Sequence, residues 1–92
     1  MKYYKYRWNE PRADQFDSWG HSSWYIEIGE DDYPSRQIEI YDNGKILKYS
    51  EENLEDEFGG LSHGKHDFTE SDLIELQLNK CSKAEFEYHW NQ

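Results

Sequence analysis

Five of the seven residues from Glu51 to Glu57 are acidic (Glu51, Glu52, Glu55, Asp56 and Glu57), and Glu30, Asp31 and Asp32 form a second run after Gly29. Carboxylates at this density serve one of two ends. They keep a chain soluble, or they build a negative face that captures a positive protein surface, standing where a phosphate backbone would otherwise lie. Tyr25, Tyr33, Tyr41 and Trp19 fall on outward faces or in loops of the elements read below, and exposed Tyr and Trp are side chains that anchor interfaces. Cross-strand packing on a thinly covered sheet accounts for them equally well.

Other chemistries have weaker support. His63, His66 and Asp67 sit close together, with Cys81 and His89 elsewhere, but metal sites show tighter ligand patterns, such as paired cysteines. Cys81 directly precedes Ser82, a candidate helix cap, and a thiol is activated near a helix N-terminus; a small core residue is the plainer reading. No nucleophile elbow and no phosphate-cradling glycine loop occurs, and among 20 acidic residues some carboxylate pairs arise by chance. The reading is a non-enzymatic protein with no cofactor and no metal.

The composition narrows the partner. The 92 residues carry 20 acidic and 10 basic side chains, for a formal charge of -10. Residues 1–46 hold nine acidic and six basic side chains, and residues 47–92 hold eleven and four. Such a chain is repelled by nucleic-acid phosphates and anionic membranes, so neither is an expected partner. No apolar run approaches the roughly 20 residues that span a bilayer, and Met1 to Trp8 lack a signal peptide's pattern. One cysteine forms no internal disulfide, which agrees with a reducing compartment; the expected location is the cytoplasm. Ile, Leu and Phe are few and Val is absent, which by itself suggests disorder, but four Trp and eight Tyr supply enough bulk for one small domain with a thin core.

The elements that position these residues follow from periodicity. Tyr3–Trp8 alternates with Tyr4, Tyr6 and Trp8 on one face and Lys5 and Arg7 on the other, and reads as a strand. Asn9–Ser23 reads as a loop whose Phe16 and Trp19 fold back onto the core. Trp24–Ile28 is a second strand with Trp24, Ile26 and Ile28 inward and Tyr25 and Glu27 towards solvent, ending at the turn Gly29–Asp32. Arg36–Tyr49 reads as a hairpin about Asn43-Gly44, a dipeptide that favours a two-residue type I′ turn. Such a turn pairs Tyr41 with Ile46, Ile40 with Leu47, Glu39 with Lys48 and Ile38 with Tyr49, joining apolar to apolar and opposite charges, whereas a one-residue slip sets Ile38 against Lys48. Ser50–Phe58 is one helical turn or a loop. Within 69–78, Ile74, Leu76 and Leu78 alternate as in a strand, while Thr69 with Asp72 matches a helix start; both stay open. Ser82 with Glu85 reads as a capping box, and Phe86 and Trp90 share one face of a C-terminal helix.

Trp24–Ile28, Arg36–Tyr49 and Glu55–Ser62 resemble segments of small acidic bacterial proteins found beside toxin genes, and of the immunity proteins of contact-dependent growth inhibition and related polymorphic toxin systems. The resemblance covers residues 24–62 and, loosely, the C-terminal helix, and brings no catalytic residues with it. It implies a cytoplasmic protein that binds and neutralises a cognate basic toxin, a nuclease in many such systems.

The sequence thus predicts an α+β fold, with a mainly antiparallel sheet of four or five strands and a C-terminal helix packed on one face. Its expected function is that of an immunity protein, with Glu51, Glu52, Glu55, Asp56, Glu57, Glu30, Asp31 and Asp32 steering the toxin and Tyr25 and Tyr41 supplying buried contacts. Two alternatives are an acidic nucleic-acid mimic that inhibits another nucleic-acid-binding protein, and a small metal-dependent protein using His63, His66 and Asp67.

Overall fold

The computed structural model describes residues 1–92. Five strands form one antiparallel sheet: β1 (Lys2–Trp8), β2 (Ser22–Ile28), β3 (Pro34–Tyr41), β4 (Ile46–Ser50) and β5 (Asn79–Lys80), in the order β4-β3-β2-β1-β5. Helix α1 (Glu70–Glu75) precedes β5, and α2 (Lys83–Trp90) follows it, so the fold is α+β. No helix is long and apolar enough to cross a membrane.

Alternation along the strands gives the sheet two faces, and both are covered. On the first, Tyr4, Ile26 and Ile28 pack with Leu73 of α1, while Tyr41, Leu47 and Tyr49 pack with Leu61. Between these clusters lie buried Gln37 and Glu39. Gln37 donates to Glu39 Oε2 at 2.8 Å and to the Gly60 carbonyl at 3.2 Å, and accepts from the Ser62 amide and hydroxyl. A polar seam thereby joins two small apolar clusters without leaving a buried side-chain group unpaired.

The opposite face receives α2. Phe86 is fully buried there, with its ring 5.3 Å from Tyr3, and burial of such a side chain contributes roughly 1.5–3 kcal/mol. Ser82 accepts from the Glu85 amide at 3.0 Å, but the Glu85 carboxylate turns away to Lys5 Nζ at 2.9 Å, so only half of the expected capping box forms. Glu27, expected in solvent, is buried beneath the helix. Its carboxylate accepts from Arg36 Nε at 2.9 Å, Arg36 Nη2 at 2.6 Å and Ser35 Oγ at 2.7 Å, and the same guanidinium donates to Glu87 of α2. Arg36 also lies over the Phe86 and Trp90 rings at 4.8 and 5.0 Å, a cation–π arrangement that ties helix to sheet.

The β3–β4 register is the slipped one, with Ile38 opposite Lys48, Glu39 opposite Leu47 and Ile40 opposite Ile46. The loop has three residues. Tyr41 N donates to the Lys45 carbonyl, Gly44 N donates to the Tyr41 carbonyl, and Gly44 alone in the loop has positive φ, +91°. This is a type I turn closed by a left-handed glycine, whereas a type I′ turn needs positive φ at Asn43 as well. Asp42 fixes the choice from outside the hairpin: its carboxylate accepts from the His21 amide and from Arg7, while its amide donates to the His21 carbonyl.

Within 69–78 the chain forms the short helix α1, not a strand. Thr69 Oγ1 accepts from the Asp72 amide and Asp72 Oδ2 from the Thr69 amide, a complete capping box. Gln77, at φ +56°, ends α1 in a Schellman arrangement, with Leu78 N donating to the Leu73 carbonyl and Gln77 N to that of Ile74. Leu73 is the buried residue, while Ile74 and Leu76 are exposed.

Arg36 holds the Glu27 carboxyl down to about 2, against an ordinary 4.5. A lowered folded-state value gives stability that is present above about 4.5 and is lost as pH falls towards about 2. Arg36→Gln should therefore lower unfolding stability at neutral pH by about 3–5 kcal/mol, because it strands a buried carboxylate. Urea unfolding from pH 7 to pH 2 tests this: the variant should also have a shallower acid limb, with the slope owed to Asp42 and Asp56 retained.

Candidate functional site

The acidic segment Glu51–Glu57 leaves β4 at Ser50 and is neither helix nor free loop. Ser50 and Asn53 exchange backbone hydrogen bonds at 3.1 Å, the Leu61 amide donates to the Leu54 carbonyl at 2.8 Å, and the Asp56 amide donates to the Gly59 carbonyl at 2.9 Å. Asn53 Nδ2 caps the Lys48 carbonyl at 3.0 Å on the outer edge of β4. The run is thus pinned at both ends and in its middle, and its side chains project from a fixed frame.

Those side chains fall into two groups. Asp56, although exposed, turns back onto its own loop: its Oδ1 accepts from the Tyr49 hydroxyl at 2.9 Å, the Phe58 amide at 2.8 Å and the Gly59 amide at 3.1 Å. Partial desolvation pushes its carboxyl up, but these donors outweigh it and the net shift is downward. Asp56 therefore organises the loop. Glu51, Glu52, Glu55 and Glu57 are exposed and make no ion pair. Among them stands Leu54, with 55% of its surface exposed. An exposed apolar side chain within a run of unpaired carboxylates combines the two ingredients of an interface, apolar surface and charge.

The second acidic run differs. The Asp31 carboxylate accepts from the Tyr33 amide at 3.1 Å, and Asp32, at φ +66°, lies 3.7 Å from Lys2 Nζ, while Glu30 accepts from the amino group of Met1 at 2.8 Å. Pairing of Arg36 with Ser50 and of Lys2 with Ile28 places this turn at the same end of the sheet as Ser50, where the first run begins. The end is acidic, with its free charge concentrated at Glu51–Glu57.

The expected aromatic anchors are not outward. Tyr25 lies under α2 with its ring 4.3 Å from His89, and Tyr41 is buried, packed on Trp19 and Leu47. Helix and loops cover both faces of the sheet, so neither side of these strands faces water. Tyr33 remains about half exposed in the β2–β3 turn. Sequence reasoning passed over Leu54, whose signal was a lone leucine inside an acidic run, and Arg12, which sat in a segment read only as loop. The Arg12 guanidinium lies 5.2–5.7 Å from the Phe16, Trp19 and Tyr41 rings, donates to the Tyr41 hydroxyl at 3.1 Å and reaches the Phe58 carbonyl.

Buried Glu39 completes this group, accepting from the Tyr41 hydroxyl at 2.7 Å. Burial raises its carboxyl above the ordinary range, against the hydrogen bonds from Tyr41 and Gln37. His63, His66 and Asp67 do not assemble into a ligand set: His66 Nδ1 donates to the Gly64 carbonyl at 2.9 Å, and nowhere do three His, Cys, Asp or Glu side chains converge on a possible metal position. Cys81 is half-buried, and burial, then Glu85, push its thiol up, the reverse of an activated nucleophile.

In comparisons with known proteins, no family model, no curated protein and no solved structure matches this chain.

Two outcomes check these assignments. Asp56→Ala should cost about 1–3 kcal/mol of unfolding stability by leaving the Tyr49 hydroxyl unpaired, and should speed hydrogen exchange at Phe58 and Gly59. Glu55→Gln and Glu57→Gln should leave both readouts unchanged. Carbon-detected NMR should place the Glu39 titration above that of an ordinary glutamate. With a raised folded-state value, its contribution is favourable below the unfolded value and is lost as pH rises through the folded one.

Proposed function

We propose that this chain is an immunity-type inhibitor that binds and neutralises a cognate basic protein toxin, a nuclease in the reading closest to the resemblance, and that it acts in the cytoplasm by occupancy, not by catalysis. The observation that carries this reading is that Glu51, Glu52, Glu55 and Glu57 stand exposed and without an ion pair on a hydrogen-bonded segment that also exposes Leu54.

Like charges fixed near one another repel, and a solubility surface gains nothing from holding them on a pinned backbone. A cationic partner turns that repulsion into attraction and meets donors' targets already in place, so less freedom is lost on binding. The field of the acidic end speeds encounter, and Leu54 supplies the desolvated contact that slows release. Asp56 supports the surface from behind, and Glu30, Asp31 and Asp32 extend the field more weakly because their charge is partly met. Tyr25 and Tyr41 hold the sheet together and are not contact residues in this account.

The partner to test is a neighbouring gene's product that proves toxic when expressed alone and harmless when co-expressed with this chain. The triple variant Glu52→Lys, Glu55→Lys, Glu57→Lys should associate with it about ten-fold or more slowly at low salt, with a flatter dependence on ionic strength. Leu54→Ala should act on dissociation instead. Stopped-flow association at two salt concentrations reads both effects, and unchanged rates in the triple variant would remove this segment from the interface.

A further inference from the structure

On the sheet face opposite α2, a cleft of roughly 530 Å³ opens between β1 and the chain that leads into and out of α1. Tyr6, Trp8 and Phe68 give it aromatic walls, and Leu76 and Leu78 give it an apolar side. Trp8 and Leu76 are about half exposed at its mouth, where large apolar side chains stay in water unless something covers them.

The polar groups show what kind of occupant fits. Arg7 lines the cleft, but its guanidinium is committed to Asp42 at 2.6 Å and to Ser23 Oγ at 3.1 Å. Glu10, also at the cleft, is exposed and makes no ion pair and no side-chain hydrogen bond. The Tyr6 hydroxyl likewise bonds to no protein group, although Tyr6 is half-buried and stacked on Trp24, whose own indole N–H is satisfied by Ser22 Oγ at 2.7 Å. His66 places Nδ1 2.9 Å from the Gly64 carbonyl, so Nε2 is the ring nitrogen left for an occupant. The cleft therefore combines aromatic faces, a free carboxylate and spare acceptors, with its one arginine already paired.

We propose that this cleft is an arginine-binding subsite, in which a guanidinium from the partner stacks on the Trp8 ring and donates to the Glu10 carboxylate. A guanidinium is planar, weakly hydrated and made of donors only, which matches aromatic walls with acceptors at the rim; an ammonium, compact and strongly hydrated, matches them less well. The proposal rests on the reading of this chain as a binder of a basic protein, and names one contact of that complex outside the acidic segment.

The test needs no toxin. N-acetyl-L-arginine N-methylamide is titrated into the full chain, and the Leu76 and Leu78 amides are followed by ¹H–¹⁵N NMR, with the norleucine counterpart as an apolar control. Saturable shifts with the arginine compound at millimolar concentration and none with norleucine are expected. Glu10→Gln should weaken binding about three-fold, Trp8→Leu should abolish saturation, and Trp8→Phe should retain part of it. Thermal unfolding of each variant shows that the fold is kept. Absence of saturation, or equal binding of norleucine, overturns the subsite. So does loss of arginine binding in the Glu52→Lys, Glu55→Lys, Glu57→Lys variant, which would place the guanidinium on the acidic segment. Failure to find a toxin partner removes the functional reading while arginine binding at the cleft stands or falls by itself.

Discussion

The guanidinium of Arg36 is the contact on which the architecture depends. It neutralises Glu27, buried in the middle of the sheet, reaches Glu87 on α2 and lies against Phe86 and Trp90. A chain with few aliphatic residues cannot cover both faces of a five-stranded sheet with hydrocarbon alone, and a half-buried arginine stem with a charge-paired head fills the deficit. Arg12 plays the matching part on the other face, where its head sits among Phe16, Trp19 and Tyr41 and draws the loop 9–20 onto β3. Each arginine turns a local run of chain into a cover for the sheet.

This use of arginine shapes the surface as well. Arg7, Arg12, Arg36, Lys2, Lys5 and Lys80 are all engaged with carboxylates. Six of the ten basic residues are thus engaged in holding strands, turns and helix together, and many acidic side chains are left without an ion pair. The densest run of them lies within Glu51–Glu57, beyond the edge strand, where the backbone is braced by Asp56 and Asn53 and the glutamates are left outward. Charge asymmetry in the fold and charge display at the surface are two sides of one distribution, and the proposed function uses the second.

What was legible in the sequence follows from how local its causes are. The strands β1 and β2, the α2 cap at Ser82 and the docking of Phe86 were readable because period-two alternation, a cap residue and an i,i+4 aromatic pair act within a few residues. The hairpin was readable as a hairpin but not in its register. Asn-Gly favours a two-residue turn when the hairpin stands alone, yet here Asp42 is held by Arg7 and His21, residues more than twenty positions away, and the loop opens to three. The apolar pattern could not arbitrate, since Ile38 on one face and Tyr41, Leu47 and Tyr49 on the other are all covered.

The sequence by itself determined that the chain is an acidic α+β protein, because net charge is additive and secondary-structure periodicity is local. It also marked Glu51–Glu57 as the densest run of charge. Only the tertiary structure decided which carboxylates are free, because that depends on which donors the fold brings near each one: Arg36 met buried Glu27, the Tyr49 hydroxyl and two loop amides met Asp56, and Glu51, Glu52, Glu55 and Glu57 stayed without an ion pair. It alone also decided that Tyr25 and Tyr41 turn inward, since the side that a strand residue presents to water is set by what packs on the sheet, and both faces of this sheet are packed.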